Sequence, residues 1–98
     1  MSPVSSTQLT FPERVQHEEA RFALTALRGQ LQAGAKQSVS LAQLKTFDSS
    51  ALALMLALQR SARAQSGELT WMDVPPLMQS LAQVYGVMSL LGLEAPSH

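Results

Sequence analysis

No cysteine occurs among the 98 residues. That excludes a disulfide scaffold, thiol catalysis and cysteine-ligated metal, and it fits a cytoplasmic location. Charge is scarce as well. Charged residues make up 14% of the chain, against about a quarter in an ordinary domain, and seven basic residues balance seven acidic ones. Formal neutrality leaves no electrostatic footprint for nucleic acid or an anionic membrane. A surface this poor in charge points instead to cover by another protein. Long apolar runs are missing too. The longest, Ala51 to Leu58, has eight residues, where about 20 are needed to span a bilayer. Direct membrane insertion is therefore not expected, and any link to a membrane goes through a partner. The N-terminal stretch "MSPVSSTQLTFPERV" has no basic flank followed by an apolar core, so it does not read as a signal peptide.

Catalytic signatures are absent in the same way. Neither G-x-x-x-x-G-K-[ST] nor G-x-G-x-x-G occurs, so no phosphate-binding loop of either type is present. His17 and His98 are isolated from each other. Two such histidines make no convincing metal site, and His17 reads as a solvated helix-start residue. Ser49 lies in no G-x-S-x-G elbow, and no serine–histidine–aspartate arrangement suggests itself. The expectation is a protein with no catalytic residue, no metal and no cofactor.

What remains reads as one α/β domain over residues 1–98, with a core from about residue 6 to 93 and frayed ends. Ser6 to Phe11 alternates like a short strand that Pro12 ends. A helix follows from His17 to about Gln32, with Ala20, Ala23, Leu24, Leu27 and Leu31 on one stripe and Gly34 as its stop. Glu18 and Glu19 in its first turn suit the helix dipole. Ser38 to Leu41 alternates as a half-buried strand. A second helix is expected from about Ser49 to Gln65, broken by Gly67. Leu69 to Val74 is strand-like, with Trp71 read as packed on the sheet. Pro75 and Pro76 open a third helix in which Leu77, Met78, Leu81, Ala82 and Tyr85 repeat at helical spacing up to Gly86. Tyr85 reads there as a helix-end core residue, and Val87 to Leu91 as a last helical turn or two. The order β-α-β-α-β-α-α implies crossover connections and a largely parallel or mixed sheet with helices packed on it. Arg28, Arg60 and Arg63 are spaced as a solvated helix face.

The most informative stretch is "TFDSSALALMLALQR", Thr46 to Arg60. Asp48 or Ser49 can accept from the free backbone N–H groups at the start of the second helix, which is an N-cap and nothing more. Alternatively Ser49 is exposed at a helix mouth suited to an anion, where a phosphate would meet the positive end of the dipole. Leu52, Met55, Leu56 and Gln59 form one stripe, and Leu54 and Leu58 lie off it. Those two leucines either tuck under neighbouring helices or form an exposed patch that marks a partner surface, with Leu54 as the first candidate to point outward.

At "FDSSALALML", followed by "GELTWMDVPP" and "LAQVYGV", the chain resembles STAS domains over roughly Leu9 to Leu91. The resemblance implies the anti-sigma-factor-antagonist-like fold, a short sheet with helices on one side. "DSSA" is similar to the family's D-S/T-x-G signature, which matches Ser49 to the phosphorylatable hydroxyl and Asp48 to the aspartate before it. The antagonists usually have Gly where this chain has Ala51. The run "DSSALALML" and the ending "PPLMQSLAQVYGV" look more like the MlaB branch, whose members are cytoplasmic subunits of Mla lipid-transport ABC complexes in Gram-negative bacteria. That resemblance implies an MlaF-like ABC ATPase subunit as partner, itself joined to a membrane permease, and a location peripheral to the inner membrane through that partner. The alternative it implies is an anti-sigma-factor antagonist switched by phosphorylation of Ser49. In either case Phe47, Asp48, Ser49 and Ser50 would form the polar centre of the partner surface, and exposed residues among Leu52, Leu54 and Met55 its apolar part. The isolated chain could also pair with itself as a homodimer.

Overall fold

The computed structural model describes residues 8–93. Strands and helices alternate as β1 (Gln8–Thr10), β2 (Arg14–Val15), α1 (His17–Arg28), β3 (Lys36–Ser40), β4 (Thr46–Phe47), α2 (Ser49–Ala64), β5 (Glu68–Met72) and α3 (Pro76–Val84). The first part of the Ser6–Phe11 strand expectation, and the expected frayed ends, lie outside the described residues. The main sheet has the order β1-β3-β5, and β2 pairs with β4. Every pairing is parallel, as crossover helices require.

Two strands were not expected. β2 and β4 extend the lines of β1 and β3 past an interruption at Pro12, which has no N–H to donate. The Phe11 N–H donates to the Ser40 carbonyl at 2.9 Å, and the Lys45 and Thr46 N–H groups donate to the Glu13 carbonyl at 2.8 and 3.1 Å. A two-residue strand carries too few positions to show an alternation in sequence.

Register explains why helices cover only one side of the sheet. Leu9, Val39 and Trp71 stand level across the three strands, and all three are buried. On the other face the level row is Gln8, Ser38 and Thr70, exposed or half-buried. Phe11 packs edge-on against Trp71, with ring centroids 6.0 Å apart. Trp71 is buried on the sheet, as read from the sequence, and its indole N–H donates to Gln59 Oε1 of α2 at 3.1 Å.

Helix boundaries moved where backbone groups found other partners. α1 stops at Arg28 with Gly29 as its C-cap, short of Gln32. Beyond it, buried Gln37 on β3 accepts from the Gln32 N–H at 2.8 Å and donates to the Gln30 carbonyl at 3.2 Å, which holds the chain in a turn. α2 ends one residue before the expected Gln65. Gly67 follows it because a Cβ there would lie 2.8 Å from the Ala35 carbonyl oxygen, so only glycine allows the chain to pass. Val87 to Leu91 forms no helix element but closes a single helical turn, the Leu91 N–H donating to the Val87 carbonyl at 3.1 Å, and is anchored by buried Leu91.

Candidate partner-binding surface

The start of α2 is built around one carboxylate. Asp48 Oδ1 accepts from the Ser50 N–H at 2.8 Å, which makes Asp48 the N-cap. Its Oδ2 accepts from the His17 N–H at 3.3 Å, at the start of α1. Asp48 therefore ties together two helix starts that lie 31 residues apart in the chain. The Ser50 backbone N–H, aided by the Ser50 hydroxyl and by the backbone and charge of His17, holds the Asp48 carboxyl below the ordinary 3.8; partial desolvation opposes this. Behind it, Glu19 accepts from the Gln16 N–H at 2.9 Å and lies 3.4 Å from Arg14, which steadies the start of α1.

Ser49 is the first residue of α2 and is exposed, and Ser50 and Phe47 are half-buried. The apolar residues expected beside them are placed differently. Leu52, Leu54 and Met55 are 3%, 3% and 0% exposed. In the segment 52–55 only Ala53 is exposed. Leu54 and Leu58 lie off the main stripe but are buried, because α2 is flanked by α1 as well as by the sheet. The outward orientation expected for Leu54 is thus corrected. Leu52 and Leu54 reach the surface only as parts of two apolar grooves, one on each side of the Ser49–Ala53 ridge. The first, between α1 and α2, is bordered by His17, Ala20, Leu24, Leu54 and Ala57. The second is bordered by Ser49, Leu52, Ala53, Leu56, Tyr85 and Val87.

Several large apolar side chains are exposed, among them Phe22 of α1, Leu77 and Val84 of α3, and Tyr85 directly after α3. Met78 and Ala82 are buried against the core, whereas Leu77, Val84 and Tyr85 are 62%, 79% and 58% exposed. Leu77, half-buried Leu81 and Val84 fall at i, i+4 and i+7, a second apolar stripe on the outer face. Tyr85, expected as core, caps α3 at the groove's edge instead. Sequence reading missed Ala53, Val84 and the exposure of Tyr85. The available signal was that "LMQSLAQVY" has apolar residues for two stripes of a short helix, and a helix on the margin of a domain can bury only one.

His17 is exposed at the start of α1, as its sequence position suggested. Among the described residues no cluster of His, Asp or Glu is suited to hold a metal ion, and no helix is long and apolar enough to cross a membrane.

Comparison with known proteins agrees with this arrangement at the level of the family. The family model described as "Mlab, STAS domain" matches residues 3–92. No curated protein matches the chain.

Proposed function

The chain belongs to the MlaB-type STAS domain family, and from that premise we propose that it is a non-catalytic subunit of an ABC-type phospholipid transporter. In this reading it binds and supports an MlaF-like ATPase in a Mla system that maintains outer-membrane lipid asymmetry. It works in the cytoplasm and reaches the inner membrane only through the ATPase and its permease. The observation that carries the reading is the pair of exposed residues Ser49 and Ala53, set between two apolar grooves, one of them edged by exposed Tyr85. Such a surface suits a protein partner: small and polar at its centre, apolar around it.

The mechanism is a population shift. Asp48 locks the starts of α1 and α2 together, so the module offers a fixed shape. It supports the ATPase to the extent that it binds one of its conformations better than another. An exposed Ser49 at a helix start also favours a second reading, the phospho-switched antagonist, since a phosphate there would meet the positive end of the α2 dipole.

A pull-down of the tagged chain, wild type beside Ser49→Glu, separates the two. The expected result is an ABC ATPase retained by the wild type and lost from the mutant, whose circular dichroism spectrum is unchanged. Recovery of a serine kinase, with phosphate on Ser49, would overturn the transporter reading in favour of the switch.

A further inference from the structure

β5 is an outer strand of the main sheet, and the pairing shows which of its backbone groups are left over. The Glu68 N–H donates to the Ala35 carbonyl at 3.0 Å, and the Met72 carbonyl accepts from the Leu41 N–H at 2.9 Å. In a parallel ladder the N–H and C=O of one residue point to the same neighbour, and successive residues alternate. Glu68, Thr70 and Met72 therefore bond to β3, and Leu69 and Trp71 turn their backbone groups outward. Among the described residues nothing bonds to those outward groups. Trp71 as a whole is 7% exposed, so water has limited access to its free N–H and C=O. An unpaired peptide group in such a place is costly.

The opposite edge is different. Three residues of β1 are in the strand, and Pro12 follows soon after, a residue that blunts an edge against pairing. β5 has five residues and no proline before Pro75. Beside Leu69 its edge is open on the helical side, where Leu69 borders a depression with Gln59, Arg63 and Glu68. On the face without helices, Glu68, Thr70 and Met72 are all exposed.

We propose that β5 pairs with β5 of a second copy of this chain, antiparallel about a two-fold axis at Thr70, joining two three-stranded sheets into one. In that register Leu69 of each copy exchanges both backbone bonds with Trp71 of the other, so every outward group of the strand gains a partner. Centring the axis on Leu69 instead would call on the Gly67 N–H, which already donates to the Ala62 carbonyl at 2.8 Å. A second copy fits because the strand is complementary to itself. Thr70 meets Thr70 on the axis, Glu68 meets Met72, and Leu69 meets Trp71. Charged groups gather only at the ends of the pair. Arg63 borders the depression beside Glu68, Lys36 stands level with Glu68 on β3, and Asp73 of the second copy comes level with Gly67. Each end thus balances Arg63 and Lys36 against Glu68 and Asp73. Leu69, Thr70 and Trp71 border neither groove beside Ser49, so the pairing does not rest on the ATPase reading.

The test is sedimentation equilibrium of the purified full-length chain beside three variants. The wild type should rise with concentration from 10.6 kDa toward twice that mass. Thr70→Lys sets two ammonium groups against each other on the axis, at a position exposed in the single chain, and should weaken pairing roughly tenfold or more. Thr70→Cys gives the chain its single thiol. Cα atoms of a non-hydrogen-bonded antiparallel pair lie about 4.5 Å apart, within the range of about 4.4–6.8 Å that a disulfide spans, so oxidation should yield a covalent dimer. Gln8→Cys, on β1 at the opposite edge, should not cross-link. If Thr70→Lys does not fold, the nearly isosteric Thr70→Cys decides alone. A wild type that stays at 10.6 kDa up to about 1 mM overturns the proposal. So does a dimer that neither weakens in Thr70→Lys nor cross-links through Thr70→Cys, since another surface then holds it. A monomeric wild type that binds the ATPase, with that binding lost in Thr70→Lys, overturns it in favour of a foreign strand on the same edge.

Discussion

α2 and α3 differ in where their apolar side chains go. α2 carries the longest apolar run in the chain, yet Leu52, Leu54, Met55 and Leu58 are all buried. α3 is a nine-residue helix with a single buried pair, Met78 and Ala82, and it presents Leu77 and Val84 to solvent. The cause is the number of neighbours. α2 runs between α1, β5 and α3, so side chains on several of its faces find cover. α3 packs on α2 from the margin, and its second stripe has nothing to cover it. The length of an apolar run does not tell where the sticky surface lies; what stands around the helix does.

The sharpest way to break this comparison is Leu54→Asp. If Leu54 is core, a buried charge between α1 and α2 costs about 5 kcal/mol, comparable with the whole stability of a small domain, and the chain unfolds. A cooperative melt near that of the wild type would return Leu54 to the surface. Gln59→Leu comes next. It strands the Trp71 indole N–H and the Leu90 carbonyl, and about 1–3 kcal/mol of stability should be lost in urea titration. Faster amide exchange over Val87 to Leu93 should accompany it, since that segment loses its tie to α2. Unchanged exchange there would mean that α3 and buried Leu91 hold that segment alone.

A smaller effect is expected at the start of α2. The Asp48 carboxyl is held below 3.8 in the folded state, so its ionised form adds stability that is complete above that pH and is lost as pH falls through the lowered folded value. Asp48→Asn should therefore melt below the wild type at pH 7, and the gap should narrow on acidification below 3.8. A gap independent of pH would assign the whole effect to shape and none to charge. Val84→Glu should move stability least, within about 0.5 kcal/mol for an exposed position. It should nevertheless weaken ATPase binding. Intact binding would confine the partner surface to the Ser49–Ala53 ridge and its grooves.

Much of this architecture was legible in the chain. The stripe from Ala20 to Leu27 marks α1, the alternation around Val39 and Trp71 marks two strands, and Asp48 before an apolar run marks a capped helix. These signals are local: each depends on residues within one or two turns of each other. The same holds for the resemblance at "FDSSALALML", which the family match supports. The end of α1 was not legible, because Gln37, from the next strand, takes up the backbone groups of the turn after Arg28. β2 and β4 were not legible either, since each is recognised only by pairing with the other.

By itself, then, the sequence determined the alternation of strands and helices, a capped helix start at Asp48 or Ser49, the family, and the exclusion of thiol and phosphate-loop chemistry. Tertiary structure alone decided that Leu54 is core, that Tyr85 and Val84 are surface, that one carboxylate serves two helix starts, and that the sheet is parallel throughout the described residues. The division has one physical reason. Periodicity and capping are properties of adjacent residues, whereas exposure is a property of neighbours, and in a sheet joined by crossovers those neighbours come from far along the chain.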